Sequence, residues 1–270
     1  MGCRHAQSLM NLNYGHKILV CDSSEENFLN NLKKINCERE RFIYHKDLDS
    51  LPDDIEFAVV STNSDVRFNI LNKLISKNIK KFLLEKVVFQ SKNQFEKIIK
   101  KLDSHKAVAV CNFVNRHFPT YKLIKQKINY QKFKMIVTAA DIRLGSNALH
   151  YIDLFKYLGG VEPYCISSNL SLNKNSNKRG SKYSEFLGNL FFMNDNGSEL
   201  IISTDADKPY NTEIIISHGN YTHVISESMA SHKIFNQSNI ERKKLESVFT
   251  SNLTEIVYEN LVSGNTILPT

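Results

Sequence analysis

The first half of the chain alternates short apolar runs with amphipathic segments, and this alternation constrains the fold more than any other feature. The apolar runs have the length of strands, and the segments between them repeat apolar residues every three to four positions. The runs cover residues 17–22, 41–44, 55–60, 82–84 and 107–110, the second being the weakest. Strands that alternate with helices need crossover connections, so we predict a mostly parallel sheet with helices around it.

Polar side chains stand at the carboxyl ends of several of these predicted strands. They are Asp22, Ser61, Thr62, Asn63, Glu85 and Lys86. Open parallel sheets bind their ligands at the carboxyl ends of the strands. We therefore expect a ligand site at this edge of the first domain.

After Pro119 the pattern changes to longer strand-like segments separated by polar turns. These segments cover residues 164–170, 186–193, 199–203, 213–217 and 221–226. They follow a further strand-like stretch, residues 133–138, and a helical stretch that contains His150. Such a pattern is typical of an antiparallel sheet with a covering helix, an α+β domain. We place the boundary so that residues 1–115 form the first domain and residues 116–270 the second.

Composition and charge exclude several classes of protein. The net charge of +7 comes chiefly from dispersed lysines rather than clustered arginines, so we expect no nucleic-acid partner. No apolar run approaches the roughly 20 residues needed to span a bilayer, so we expect no membrane partner and a cytoplasmic protein. The five cysteines include no C-x-x-C pair, which predicts reduced thiols and no metal site.

A lysine at a strand end and a distant His-x-x-Asp pattern form the main candidate for chemistry. Lys86 ends the strand near residue 84, and His150 precedes Asp153 by one helical turn. Brought together, a lysine and a histidine can hold a sugar hydroxyl and take its proton during hydride transfer. Taken singly, each has a structural alternative, a solvated lysine and a core histidine, and these alternatives stay open.

The order of these motifs resembles the Gfo/Idh/MocA family of NAD(P)-dependent oxidoreductases, which act largely on sugars, inositols and related polyols. Gly2-Cys-Arg-His5 resembles the end of the family's glycine-rich turn, and Ser61-Thr-Asn63 resembles its Thr-Pro-Asn turn. Glu85-Lys86-Val87 resembles its Glu-Lys-Pro. The segment 115–119 and the His-x-x-Asp of residues 150–153 are similar to motifs of its substrate domain. The resemblance implies a Rossmann-like domain followed by an α+β domain with an antiparallel sheet.

The resemblance also implies a role for each matching residue. The cofactor-binding positions would be Gly2, His5, Asp22, Ser61, Thr62, Asn63 and Glu85. The catalytic residues would be Lys86 and His150, and the substrate would contact Arg116, Asn147 and Asp153. A structural salt bridge is an equal alternative for Arg116. Because the Asp22 carboxylate would repel a 2′-phosphate, the implied cofactor is NAD(H), with NADP(H) less favoured.

The chain departs from the family pattern in ways that bear on function. The family's first strand and first two glycines do not occur in it, nor does the family's final helix. We expect a gap in the parallel sheet and weak dinucleotide binding, with either a start assigned too late or a degraded remnant as the cause. Ser146 replaces an acid that often precedes the family histidine. The pattern Gly145-Ser-Asn147-Ala-Leu-His150 resembles a branch associated with bacterial surface sugars.

Two functions from different classes follow from these observations. The first is an NAD(P)-dependent oxidoreductase that acts on a sugar, a nucleotide sugar or a related polyol, in bacterial surface-polysaccharide metabolism. The second is a catalytically inactive or vestigial relative that binds a sugar or a partner protein. In both cases the expected ligand is a small sugar-type molecule, and a homo-oligomer formed through the C-terminal sheet is left open.

Overall fold

The structure is a computed structural model of the 270-residue chain. It describes residues 1–12, 17–35, 39–173, 183–205, 211–237 and 239–264. The chain forms two compact units, one of Met1–Asn112 with Phe249–Thr270 and one of Phe113–Val248. None of the described helices is long and apolar enough to cross a bilayer.

Helices and strands alternate in the first part of the chain, whereas strands dominate the second. The helices are α1 (Gly2–Met10), α2 (Glu25–Ile35), α3 (Ser64–Ser76), α4 (Lys92–Ser104), α5 (Pro119–Ile128), α6 (Leu144–Gly159) and α7 (Thr250–Val262). The strands are β1 (Ile18–Cys21), β2 (Phe42–His45), β3 (Ala58–Val60), β4 (Lys81–Leu84), β5 (Val108–Cys111), β6 (Phe133–Ala139), β7 (Pro163–Asn173), β8 (Glu185–Asn194), β9 (Glu199–Thr204), β10 (Glu213–His218), β11 (Tyr221–Ser226), β12 (Ser231–Asn236) and β13 (Asn239–Lys244).

The first unit is built from parallel strands, most of them joined by helices, as the alternating pattern predicted. β1 pairs with β2 in parallel, and β4 pairs in parallel with both β3 and β5. Leu71 and Ile75 of α3 pack with Phe82 and Leu84 of β4 in one buried cluster. Burial of such side chains is worth about 1.5–3 kcal/mol each, which fixes the helix against the sheet.

The parallel strands form two sheets rather than one. β1 and β2 make a two-stranded sheet, and β3, β4 and β5 make a separate three-stranded sheet. Among the described residues, β1 and β3 therefore each keep one edge without a strand partner. The expected break in the sheet occurs here, since in the Rossmann strand order another strand lies between the two positions that β1 and β3 resemble.

The helix α7 belongs to the first unit, although the second unit precedes it in the sequence. It packs against α1 and β4, with Leu253 and Val257 buried in the contact. The observed division between residues 112 and 113 lies close to the predicted boundary at 115. Our assignment of residues 116–270 to one domain differs from the structure at α7, because the apolar face of α7 is covered within the first unit.

The second unit is a mostly antiparallel sheet of eight strands in the order β13-β12-β11-β10-β6-β9-β8-β7. Among the strands that the structure describes in this unit, only β6 and β9 pair in parallel. α5 and α6 pack on the face that carries Met135, Val137, Leu200 and Ile202, all of which are buried. The predicted α+β unit with an antiparallel sheet is confirmed.

The strands β7 and β8 pair closely where Gly188 faces the backbone of Asn169. Gly188 has φ +120°, and a Cβ on it would lie 1.9 Å from the Asn169 carbonyl oxygen. Only glycine fits this position, because any side chain would collide with the neighbouring strand.

Two strands of the second sheet were missed by the sequence analysis. The stretch 133–138 corresponds to β6 and the five longer segments correspond to β7 to β11, but β12 and β13 were not predicted. Every residue of β13 is exposed, so this edge strand lacks the apolar alternation that identifies a strand.

Three buried histidines form a hydrogen-bonded row across β10, β11 and β12. The Nε2 atoms of His218 and His223 are 3.1 Å apart, and His223 Nδ1 lies 2.9 Å from His232 Nε2. Burial lowers the pKa of all three imidazoles, that of His223 to about 3, and the positive charge of Lys127 on α5 lowers each further. The row is therefore neutral in the folded protein near pH 7.

We predict that this row makes the protein less stable in mild acid. Because the folded pKa of His223 lies below the unfolded value of about 6.5, the unfolded chain binds more protons in between. The free energy of unfolding should therefore fall as the pH drops from about 6.5 toward about 3. Urea unfolding, followed by circular dichroism at pH 7.5, 6 and 5, measures the slope of the free energy of unfolding against pH.

The variant His223→Asn should show a shallower slope than the wild type over the same pH range. His45→Asn, which alters a histidine outside the row, is the matched control and should keep the wild-type slope. Equal slopes for His223→Asn and the wild type would contradict the assignment.

Candidate active site

The carboxyl ends of β1, β3 and β4 carry most of the side chains that we predicted to bind a cofactor. Asp22 directly follows β1, and its carboxylate accepts a 3.0 Å hydrogen bond from the backbone N–H of Ser24. Ser61, Thr62 and Asn63 form the turn between β3 and α3. The parallel direction within each sheet puts these positions at strand ends, where ligands of such folds bind.

The helix α1 begins at Gly2, close to the turn after β3. A Cβ built on Gly2 would lie 3.0 Å from Ser61 Oγ, so the absence of a side chain allows this close approach. The first backbone N–H groups of a helix and its dipole favour a phosphate group. A carboxylate at the tip of β1, here Asp22, is the usual partner of a ribose diol. These positions match the phosphate and ribose sites of dinucleotide-binding folds, and the expected weak binding stays a prediction.

A buried polar network joins α1, α7 and the sheet through Glu85. His5 Nε2 lies 3.0 Å from Glu85 Oε1, and the Asn112 side-chain amide donates to the same oxygen at 2.6 Å. His5 Nδ1 lies 2.8 Å from Thr254 Oγ1 on α7. Burial opposes ionisation of Glu85, but the hydrogen bonds from His5 and Asn112 outweigh it and hold the pKa of Glu85 below its usual value.

Arg67 of α3 links the turn after β3 to the turn after β4. Its guanidinium, almost fully buried, donates to the carbonyl oxygens of Thr62, Glu85 and Val87. Lys86 lies between two of these carbonyls, and its peptide bond to Val87 is cis. A rigid guanidinium fork that binds several carbonyl groups fixes the backbone on both sides of Lys86.

The second unit contains a polar cavity of about 310 Å³ beside α6. Its lining includes Asn115, Asp141, Asn147, His150, Tyr151 and Glu227. Asn147 and His150 face the same cavity because residues three apart on a helix share one side. The Asn147 amide donates to the Ile142 carbonyl oxygen at 2.7 Å, and the Phe113 ring packs edge-on against the His150 imidazole.

Arg116 and Asp153 bind each other instead of lining this cavity. The Arg116 guanidinium donates two hydrogen bonds to the Asp153 carboxylate, and both side chains are buried. Burial raises the pKa of Asp153, and the hydrogen bond and charge of Arg116 act in the opposite direction. This geometry favours the structural alternative for Arg116. Their proposed contact with substrate stays a prediction.

Ser146, which replaces an acid of the family pattern, binds an acid from another element. The Ser146 hydroxyl and backbone N–H both contact the Glu185 carboxylate of β8, the latter at 3.2 Å. A carboxylate is therefore present beside the first turn of α6, although it comes from a residue distant in sequence.

Several residues of these sites were not predicted, among them Arg67, Tyr151 and Glu227. Arg67 has no motif signal within the amphipathic pattern of α3. Tyr151 reads as one more core aromatic of α6, and Glu227 lies in the turn after β11, where acids are common. Only the structure shows that Tyr151 and Glu227 meet, because their contact joins residues far apart in sequence.

The predicted catalytic residues lie in different units. Lys86 belongs to the first unit and His150 to the second. The structure brings Asn147 and His150 to one cavity and brings His5 and Glu85 into one network. That Lys86 and His150 act on the same substrate group stays a prediction. Among the residues that the structure describes, no group of three or more metal-binding side chains is placed to hold an ion.

Comparison with models of protein families and with curated protein sequences finds no match. Solved structures do share the fold. UDP-N-acetylglucosamine 3-dehydrogenase GnnA from Acidithiobacillus ferrooxidans aligns with a TM-score of 0.75 at 14% identity, over 98% of this chain and 86% of that chain. KijD10, a 3-ketoreductase from Actinomadura kijaniata solved in complex with NADP, aligns with a TM-score of 0.72 at 11% identity, over 93% and 82%.

A third solved structure also shares this fold. The super-repressor mutant of Gal80p from Saccharomyces cerevisiae aligns with a TM-score of 0.72 at 13% identity, over 98% of this chain and 82% of that chain. The fold that the motifs implied, a Rossmann-like unit with an α+β unit, is confirmed.

We predict that Glu85→Ala lowers the free energy of unfolding by about 3 kcal/mol, because it leaves buried His5 and Asn112 groups without their acceptor. Chemical denaturation at pH 7 measures the loss. Glu96→Ala, which removes an exposed acid beside Lys92, is the matched control and should cost at most about 0.5 kcal/mol.

The Glu85 carboxylate should also make the free energy of unfolding of the wild type depend on pH in a way that the Glu85→Ala variant lacks. Because the folded pKa of Glu85 is lowered, its contribution is present above the unfolded value and is lost as the pH falls through the folded pKa. Wild type and Glu85→Ala should therefore converge in stability as the pH falls below about 4.5. A difference that stays constant from pH 7 to pH 3 would contradict this account.

Proposed function

We propose that the chain is an NAD(P)-dependent oxidoreductase that acts on a sugar, a nucleotide sugar or a related polyol, in bacterial surface-polysaccharide metabolism. The polar cavity with Asn147 and His150 on its α6 side carries the proposal. Its volume of about 310 Å³ suits a monosaccharide ring, and its hydrogen-bonding side chains suit hydroxyl groups. Neighbours named as a sugar-nucleotide dehydrogenase and a 3-ketoreductase support it.

In the oxidising direction, His150 accepts the proton of a sugar hydroxyl while hydride leaves the same carbon. Imidazole is the side chain best suited to move a proton near neutral pH. The Lys86 ammonium donates a hydrogen bond to the reacting oxygen and stabilises the negative charge that develops on it. Asn147 orients the ring. A nicotinamide cofactor, when bound, supplies the hydride acceptor.

The first unit would hold this cofactor at the carboxyl ends of β1, β3 and β4. Asp22 would bind the adenosine ribose, the start of α1 at Gly2 would face the pyrophosphate, and residues 61–63 would also contact the cofactor. Because the Asp22 carboxylate repels a 2′-phosphate, we assign NAD(H) in preference to NADP(H). KijD10 itself was solved with NADP, so the fold also accommodates a cofactor with the 2′-phosphate.

A second candidate function is binding without catalysis. The similarity to a Gal80p super-repressor and the break between the β1–β2 and β3–β5 sheets favour it. In that case the cavity would bind a sugar, or a surface of the protein would bind a partner. Turnover by the wild-type protein separates the two functions, because a sugar-binding relative would bind the ligand and leave it unchanged.

We further propose a cytoplasmic protein that forms a homo-oligomer through its C-terminal sheet. β7 carries four exposed apolar side chains, and their exposure at the edge of the sheet supports a protein contact there. They are Tyr164, Ile166, Leu170 and Leu172.

We predict that Lys86→Ala and His150→Ala each lower turnover by at least about 100-fold, because each removes a group that handles charge or a proton in the reaction. NADH formation from NAD⁺ and UDP-N-acetylglucosamine at 340 nm measures it. Lys92→Ala, at an exposed position of the first unit, and His105→Ala, at a half-buried position at the end of α4, are matched controls and should retain wild-type turnover. Wild-type turnover in both Lys86→Ala and His150→Ala would overturn the catalytic assignment.

The preference for NAD(H) should depend on Asp22. We predict that Asp22→Asn lowers the ratio of the NADPH to the NADH dissociation constant by about tenfold, since it removes one unfavourable charge contact. Calorimetric titration with both cofactors measures the ratio, and Asp103→Asn on the exposed end of α4 is the control. An unchanged ratio in Asp22→Asn would show that Asp22 does not contact the cofactor.

A further inference from the structure

Glu227 is an acid that the turn after β11 directs into the cavity beside α6. Its backbone N–H lies 3.4 Å from the Thr212 carbonyl oxygen, which fixes the start of the turn. Its side chain lines the cavity that also contains His150. No step of the proposed hydride transfer uses this carboxyl group.

Two side chains hold the Glu227 carboxyl group in place. The Tyr151 hydroxyl lies 3.2 Å from Oε2, and the Asn115 side-chain amide lies 3.4 Å from Oε1. A carboxylate can accept about four hydrogen bonds, so one contact on each oxygen leaves acceptor capacity for a ligand. Burial raises the pKa of Glu227, and the hydrogen bonds from Tyr151 and Asn115 act in the opposite direction.

Tyr151 connects this acid to the candidate catalytic helix. It follows His150 directly on α6, and burial together with the charge of Glu227 raises the pKa of its hydroxyl well above the usual value. The hydroxyl therefore stays protonated and donates to Glu227. Because Tyr151 itself is buried, it fixes the position of the carboxyl group relative to α6.

The charges around the cavity favour one class of ligand group. Two carboxyl groups, those of Asp141 and Glu227, line the cavity, and none of its described lining residues is a lysine or an arginine. Carboxylates accept hydrogen bonds from hydroxyl or ammonium groups and repel other anions. A ring with neutral or cationic donors fits this lining, whereas a ring with a carboxylate does not.

We propose that Glu227 determines substrate specificity by accepting a hydrogen bond from a hydroxyl or amino group of the sugar ring and by excluding, with Asp141, sugars that carry a carboxylate. This inference rests on the proposed sugar oxidoreductase function and deepens it. It makes the substrate a neutral or amino sugar and excludes uronic acids.

The test compares two ligands that differ only at one ring substituent, UDP-glucose and UDP-glucuronate. Calorimetric titration of the full chain at pH 8 gives the ratio of their dissociation constants. We expect the wild type to bind UDP-glucose at least about tenfold more tightly. Glu227→Gln keeps the size of the side chain and removes its charge, so it should reduce the ratio by about tenfold.

Asp195→Asn is the matched control, because it removes one acid from an exposed turn of the same unit. It should keep the wild-type ratio. A further titration, with UDP-glucosamine, distinguishes the two donor types. If Glu227 binds the amino group, Glu227→Gln should weaken the binding of UDP-glucosamine more than that of UDP-glucose. A thermal melt of each variant checks that the fold is retained.

The same preference for UDP-glucose over UDP-glucuronate in the wild type and in Glu227→Gln would overturn the inference. A wild type that binds both ligands equally, or binds neither, would also overturn it. Failure of the proposed oxidoreductase function gives a different result. The ratio of the two dissociation constants then changes as described, but the wild type does not oxidise or reduce any bound sugar.

Discussion

The buried carboxylate of Glu85 is the interaction on which the first unit depends most. It lies at the end of β4 and accepts hydrogen bonds from α1 and from the end of β5, and His5 extends the contact to Thr254 on α7. Removing a carboxylate from water is costly, so it is stable there only with its partners in place. The network therefore ties the first and last helices of the chain to the centre of the sheet.

The same interaction determines where the candidate catalytic lysine stands. Lys86 follows Glu85 directly, and the Arg67 guanidinium holds the carbonyl groups on either side of it. In the second unit, α6 carries Asn147 and His150 into a cavity that Glu227 helps to line. Each unit thus contains one set of polar groups held in place by hydrogen bonds, at the strand-end turns of the first unit and around the polar cavity of the second.

Much of this fold could be predicted from the sequence, because local patterns encode it. The alternation of apolar runs and amphipathic helices predicted the parallel strands, and the polar turns predicted β7 to β11. Contacts between distant residues had no such signal. The position of α7 in the first unit depends on pairs such as His5 and Thr254, and the exposed strand β13 lacks apolar alternation.

The candidate site was predicted only where a motif marked it. Asn147 and His150 share a cavity as their helical spacing indicates, whereas Arg116 and Asp153, which match a motif equally well, form a buried ion pair. Glu227 reaches the cavity from a turn, where an acid is usually solvated, so no pattern distinguishes it.

The central claim, that the cavity beside His150 is the site of hydride transfer from a sugar, can be tested by following the hydrogen itself. UDP-N-acetylglucosamine deuterated on its pyranose carbons is incubated with NAD⁺ and the protein, and mass spectrometry of the nicotinamide product reports any transferred deuterium. The account predicts deuterated NADH from the wild-type protein and none from His150→Ala. Unlabelled nicotinamide after wild-type protein has bound the sugar, or equal labelling by His150→Ala, would contradict it.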